Sequence, residues 1–253
     1  MMTEIILKEL QEIEKKEHVK IIMAVESGSR AWGFESVDSD YDVRFIYVRT
    51  EDSYLKLNET RDVIEWKLDD TLDINGWDLK KALQLLYISN ITLFEWCNSP
   101  IVYLEKEELS NLKALLPHYF SCKKGLFHYW SLASKNYRKD LKESEFSLKR
   151  YLYIFRALLS AQWILEHQTP PPILFKELLN IDLDENCKAE LEKLLMIKKV
   201  SPELKKIPKV KILDKYIEKK LTEIKEIADK TEDIKVEWDS LNDYFIRTLR
   251  NGE

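Results

Sequence analysis

An apolar run, VKIIMAV at residues 19–25, constrains the fold more than any other feature of the sequence. The run is short, continuous and rich in β-branched side chains, which favours a strand buried on both faces. The segment DYDVRFIYV at 40–48 predicts a second strand. Residues 3–17 place apolar side chains on one helical stripe and predict a helix before the first strand. The chain therefore begins with a small α/β unit.

Two further segments, 61–68 and 71–77, read as a hairpin that turns at Asp69 and Asp70. The hairpin adds strands to the two upstream, and Asp78 is the expected N-cap of the helix that follows. We expect a mixed sheet of four or five strands with flanking helices.

Beyond residue 105 the strand patterns nearly vanish, and helical periodicities follow one another to residue 250. A lysine-rich stretch at 198–211 is expected to be an exposed connector. The predicted class is α+β, with a small α/β domain at residues 1–105 and a helical domain at residues 106–253.

Composition narrows the classes of protein that fit. The net charge is −5, so contact with nucleic acid should be local rather than along a basic surface. The three cysteines form no CxxC pair, and the N-terminus lacks the basic and apolar regions of a signal peptide. No apolar stretch approaches the roughly 18 residues of a membrane span. A cytoplasmic protein without a membrane partner is expected.

Two aspartates stand out at the start of the second strand. Asp40 and Asp42 are two residues apart, so their side chains should project from one face, about 6–7 Å apart. Carboxylates that close repel unless cations lie between them, and Mg²⁺ prefers such ligands. A third carboxylate on a neighbouring strand would complete a two-metal site. Asp73 is the first candidate and Glu65 the alternative.

Gly28 and Ser29 directly follow the buried strand. A Gly-Ser turn at this position brings backbone N–H groups and a hydroxyl close to a phosphate. A lone Asp-x-Asp is common in turns, where the carboxylate caps the backbone. The combination of a buried strand, a Gly-Ser turn, Asp-x-Asp and a later aspartate has no such structural explanation, because unpaired buried charge is costly.

The segment GSRAWGFESVDSDYDVRFIYV resembles the nucleotide-binding signature of the DNA polymerase beta superfamily. It is most similar to a branch of bacterial and phage predicted nucleotidyltransferases, some encoded beside RNA ligases. RDVIEWKLDDTLDINGWDLKKAL and KRYLYIFRALLSAQWI also resemble that branch, so the similarity spans roughly residues 20–175.

The resemblance implies an enzyme that moves an NMP from an NTP, with ATP the first candidate, onto an acceptor hydroxyl with release of pyrophosphate. It also implies two Mg²⁺ ions, which Mn²⁺ can replace, held by Asp40, Asp42 and Asp73. The acceptor stays open, with an RNA 3′ end among the candidates. The alternative from another class is a catalytically silent nucleotide-binding regulatory or antitoxin-like module.

Several basic or polar residues are secondary candidates for binding the triphosphate. Arg30 and Ser39 flank the signature, and Lys149 and Arg156 fall on one stripe of a helix. Arg44 lies two residues beyond Asp42 and is a candidate counter-ion. The plain alternative for these residues is a surface ion pair or a solvated helix face.

Overall fold

The structure is a computed structural model and describes residues 2–58, 60–67, 71–139, 145–202 and 205–250. Its strands are β1 Lys20–Glu26, β2 Tyr41–Val48, β3 Val63–Lys67, β4 Leu72–Asp78, β5 Val102–Glu105, β6 Glu145–Ser147 and β7 Lys206–Pro208. Its helices are α1 Met2–Glu17, α2 Gly28–Trp32, α3 Glu51–Tyr54, α4 Leu79–Tyr87, α5 Ile91–Cys97, α6 Glu108–Tyr119, α7 Cys122–Lys139, α8 Leu148–His167, α9 Phe175–Leu178, α10 Glu185–Lys199, α11 Lys211–Lys230 and α12 Asp239–Arg250.

The main sheet has five strands in the order β3-β4-β2-β1-β5. Among the described strands of this sheet, β2 and β4 run parallel and the other neighbours are antiparallel. The mixed sheet and the α+β class are as predicted, and β3 and β4 pair as the expected hairpin. The turn predicted at Asp69 and Asp70 lies outside the described residues.

The core of the sheet forms where the apolar run predicted it. From Ile21 onward every residue of β1 is buried, because β2 and β5 flank it in the sheet and α1 and α6 pack against it. The apolar stripe of α1, formed by Ile6, Leu10 and Ile13, is at most 1% exposed and packs in this core. Burial of large aliphatic side chains contributes about 1.5–3 kcal/mol each, so this layer anchors β1 and β2.

The chain forms two compact units. The first contains Met1–Ala31, Asp40–Tyr119 and Lys235–Glu253, and the second contains Trp32–Ser39 and Phe120–Ile234. The predicted division at residue 105 would leave α6 and α12 outside the sheet unit, whereas both pack within it. The Tyr244 hydroxyl of α12, for example, donates to the carbonyl oxygen of Glu108 in α6 at 3.1 Å. The boundary at residue 105 concerns domains that fold independently, and in that sense it stays a prediction.

The second unit is built around α8, which packs against α7, α10 and α11. Its residues are buried on several sides, including Arg156 and Ser160. In the described part of the chain, neither α8 nor any other helix combines the length and apolar character that a membrane span requires.

Residues 198–211 are only in part the exposed connector that their lysines predict, because Lys205 and Lys206 are exposed whereas other residues of the segment are buried. Lys198 is 1% exposed, and its Nζ donates to the Ser36 hydroxyl at 2.9 Å. β7 pairs with β6, and the central residues Ile207 and Phe146 are buried. Burial of the apolar Ile207 side chain holds this segment against the rest of the second unit.

Gly76 of β4 lies directly beside the Phe45 ring of β2. It pairs in register with Phe45, and a Cβ at residue 76 would overlap three carbon atoms of the Phe45 ring. Both residues sit inside the sheet, so the ring cannot move without displacing other core side chains.

We therefore expect Gly76→Ala to lower the free energy of unfolding by about 1–3 kcal/mol, as overpacked cores do. Urea denaturation measures the loss. Phe45→Leu in the same chain frees space, so the double variant should lose less than the sum of the two single changes. Additive losses would contradict a clash between residues 45 and 76.

Candidate active site

The register of the parallel strands brings two of the predicted carboxylates together. Asp42 of β2 pairs directly with Asp73 of β4, so both side chains project from the same face of neighbouring strands. Glu65 lies one strand further away, on β3 and opposite Asn75. Asp40 directly precedes β2 and is exposed. The sheet therefore favours Asp73 over Glu65 as the neighbour of Asp42.

Arg44 binds both of these carboxylates. Its Nη2 lies 3.0 Å from Asp42 Oδ1 and 3.0 Å from Asp73 Oδ2. Its Nη1 donates to the carbonyl oxygens of Val43 and Asp73 at 3.0 and 3.1 Å. Asn75 Nδ2 holds the other oxygen of Asp73 at 2.9 Å. Arg44 is thus the counter-ion expected from its position, and it neutralises part of the charge repulsion.

Gly28 makes room for the Asp42 carboxylate. Its φ is +64°, a backbone conformation that residues with a Cβ adopt rarely, and a Cβ here would overlap Asp42 Oδ2. Ser27 N donates to the carbonyl oxygen of Asp42 at 2.8 Å, which fixes the loop against the strand. The positive φ and the nearby Asp42 carboxylate therefore each require a glycine at residue 28, whether or not this turn binds a phosphate.

A buried carboxylate that the sequence analysis missed, Glu26, lies behind Asp42. It is 1% exposed, its Oε1 accepts from Asp42 N at 2.7 Å, and its Oε2 accepts from the Tyr103 hydroxyl. Burial raises the pKa of Glu26 above its usual range, although both hydrogen bonds oppose that shift. Glu26 fixes the backbone from which the Asp42 side chain extends.

Arg30 and Ser39 have structural partners in their own units. The Arg30 guanidinium lies 3.7 Å from the centre of the Tyr41 ring, and its Nε donates to the carbonyl oxygen of Asp40 at 3.0 Å. The Ser39 hydroxyl accepts from Ser36 N at 2.9 Å inside a loop of the second unit. Ser29 is likewise buried, at the start of α2. These contacts position the signature segment.

Lys149 and Arg156 belong to the second unit. Arg156 is 2% exposed and its guanidinium lies 4.0 Å from the centre of the Trp32 ring. Lys149 is half-buried, with its Nζ 5.4 Å from the Tyr153 ring. A solvated helix face, the alternative considered from the sequence, does not describe Arg156 or the fully buried Ser160.

The donor chemistry at Asp42 and Asp73 suits a hard divalent cation, since carboxylate oxygens are the ligands that Mg²⁺ prefers. The backbone at Gly28 leaves space for the Asp42 carboxylate. Among the residues that the structure describes, no three His, Cys, Asp or Glu side chains are grouped closely enough to hold a metal. Arg44 lies between the two aspartates. A cation would therefore compete with Arg44 for the same oxygens.

Comparison with known proteins identifies a curated relative, solved structures and a family model. An uncharacterized protein of Bacillus subtilis (strain 168), YcgL, is 41% identical over 248 residues, covering 97% of this chain and 94% of that protein. A crystal structure of a nucleotidyltransferase-like protein from Exiguobacterium sibiricum 255-15 aligns over 99% of this chain and 80% of that one. Its sequence identity is 13% and its TM-score 0.33, too low to bear on fold or function.

The match to a family model confirms the resemblance stated from the signature segment. The model describes an RNA repair pathway DNA polymerase beta family, and it matches residues 2–247, which include Gly28, Asp42 and Asp73. The chain therefore belongs to the RNA repair pathway DNA polymerase beta family.

Proposed function

We propose that this protein transfers an NMP from an NTP, with ATP the first candidate, to an acceptor hydroxyl and releases pyrophosphate. The observation that carries the proposal is the pairing of Asp42 with Asp73 on parallel strands beside the Gly28 turn. The family, which is named for RNA repair, makes an RNA 3′ end the acceptor that we propose first. In-line attack by that hydroxyl on the α-phosphate breaks the bond to the leaving pyrophosphate.

Asp40, Asp42 and Asp73 are the residues that would hold two Mg²⁺ ions, or Mn²⁺ in their place. When bound, such ions neutralise the phosphates and stabilise the charge that develops during transfer. In the proposal, Asp73 accepts the proton of the attacking hydroxyl. Its side chain is 41% exposed, so the hydroxyl of an RNA substrate can reach it. Glu26 keeps the Asp42 backbone in place from the buried side.

Gly28, Ser29, Arg30 and Ser39 are proposed to contact the triphosphate, with Gly28 and Ser29 at its β- and γ-phosphates. Lys149 and Arg156 are proposed to neutralise the leaving pyrophosphate. The burial of Arg156 beside Trp32 supports this role. Because its guanidinium is already shielded from water, its electrostatic interaction with a phosphate would be strong.

One observation favours the second candidate, a catalytically silent nucleotide-binding regulatory or antitoxin-like module. Arg44 binds one oxygen of each of Asp42 and Asp73, and Asn75 binds the other oxygen of Asp73, so both carboxylates have protein partners without a metal. The two candidates differ in one respect: only the enzyme transfers label from the α-phosphate of an NTP.

The carboxylate roles predict a graded series of variants. Asp42→Asn removes a metal ligand and should lower transfer of α-labelled NMP to RNA by on the order of 10³-fold or more. Asp73→Ala should lower turnover much more than NTP affinity, because its carboxylate serves the chemical step. Product is measured on denaturing gels with Mg²⁺ or Mn²⁺, and NTP affinity by calorimetry.

Two matched variants test the specificity of these effects. Asp243→Asn removes an exposed aspartate of α12 in the same unit and should leave turnover unchanged. Glu65→Ala should have a mild effect, because Glu65 is one strand further from Asp42. Turnover of Asp42→Asn at the wild-type level would refute the metal-ligand role, and a larger loss for Glu65→Ala than for Asp73→Ala would move the proton acceptor to Glu65.

Lys149→Ala should weaken NTP affinity roughly 10-fold and NMP affinity hardly at all, because an NMP lacks the phosphates that Lys149 would neutralise. Calorimetry with a non-hydrolysable NTP and the matching NMP provides the comparison. Lys215→Ala, which removes an exposed lysine of α11 in the same unit, is the control. Equal losses of affinity for NTP and for NMP would contradict a contact between Lys149 and the β- and γ-phosphates.

A further inference from the structure

A cationic cavity lies at the far end of β4 from Asp73. Its volume is about 630 Å³, within the usual range for ligand sites. Asp73 and Asp78 are five residues apart along β4, so about 17 Å separates this cavity from the paired carboxylates. The cavity is therefore distinct from the candidate active site, although both belong to the first unit.

The charge of the cavity lining contrasts with that of the chain. Among the described residues that line the cavity, four basic side chains oppose two carboxylates, a net charge of +2, in a chain whose net charge is −5. The charged lining residues are Lys56, Arg61, Asp62, Asp78, Lys80 and Lys81.

The carboxylates of the cavity are already engaged. Asp78 is 3% exposed and accepts from the Tyr54 hydroxyl and from Lys80 N, while Asp62 pairs with Lys81 at 2.8 Å. Lys56 and the side chain of Lys80 are exposed, and neither forms an ion pair with another described residue. Two lysine charges are therefore available to a negatively charged ligand.

An aromatic pair continues the same surface. The rings of Tyr87 and Trp238 stack with centroids 3.7 Å apart and planes 9° apart, and Trp238 remains 40% exposed. Lys80, Gln84 and Tyr87 are spaced by four and three residues along α4 and therefore share one face of it. The aromatic pair is thus about 10 Å along the helix from Lys80.

We propose that this surface binds single-stranded RNA, with backbone phosphates in the cavity and a base against Trp238. Proteins that bind single strands combine a cationic groove with aromatic rings on which bases stack, and a cationic cavity alone would suit any small anion. The inference rests on the proposed function in one respect, RNA as the acceptor. The surface would hold nucleotides some distance from the reacting 3′ end.

Binding is tested without catalysis, by fluorescence anisotropy of a labelled RNA strand of about 12 nucleotides in EDTA and without NTP. The double variant Lys56→Gln/Lys80→Gln should weaken binding roughly 10-fold and lower the salt slope by about 1.4, or 0.7 per lost phosphate contact. Lys8→Gln/Lys15→Gln, which removes two exposed lysines of α1, changes net charge equally and should weaken binding less than about two-fold.

The aromatic contribution has a different signature. Trp238→Leu should weaken RNA binding roughly 10-fold without changing the salt slope, because stacking releases no counterions. Trp238→Phe should restore much of the affinity. Thermal unfolding of each variant identifies any that misfold, and the lysine variants test the surface independently of residue 238.

Equal losses for the two lysine double variants would overturn the proposal. Displacement of the RNA by inorganic phosphate as readily as by unlabelled RNA would also overturn it, since the cavity would then be a site for a small anion. Cavity-dependent RNA binding without any NMP transfer would support this surface and reject the proposed enzyme. Conversely, NMP transfer by a protein whose RNA affinity is unchanged by the cavity variants would support the proposed enzyme and reject this surface as an RNA site.

Discussion

The interaction between Arg44 and the paired aspartates, Asp42 and Asp73, is the constraint on which the candidate site depends. Parallel pairing of β2 and β4 places two carboxylates side by side, an arrangement that is unfavourable without a cation. Arg44 supplies that cation from the same face of β2 and binds one oxygen of each. The sheet can therefore fold with its carboxylates assembled before any metal arrives.

The surroundings of the aspartates follow from that arrangement. The Asp42 carboxylate occupies space that only a glycine at residue 28 leaves open, and Glu26 fixes the strand from the buried side. Gly76 lets β4 approach the Phe45 ring, which keeps the two strands in register. Gly28 and Glu26 have proposed roles in nucleotidyl transfer, but each also has a structural role that holds without it.

Local patterns predicted the parts of the molecule that depend on local periodicity. The apolar run predicted β1, and the two-residue period placed Arg44 on the face of Asp42. The roles of Glu26 and Lys198 depended on partners distant in sequence, Tyr103 and Ser36, which no local pattern identifies. Three-residue strands such as β6 and β7 are too short to show a period. The membership of α6 and α12 in the sheet unit likewise depends on long-range packing.

Magnesium-dependent thermal unfolding of Arg44→Met tests the central claim most directly, namely that Arg44 occupies a cation site formed by Asp42 and Asp73. Without metal the variant should be less stable by on the order of 1 kcal/mol, because the carboxylates are partly exposed. Mg²⁺ should then raise its melting temperature more than that of the wild type, and adding Asp42→Asn should abolish the difference. Equal Mg²⁺ responses of Arg44→Met and wild type would contradict the claim.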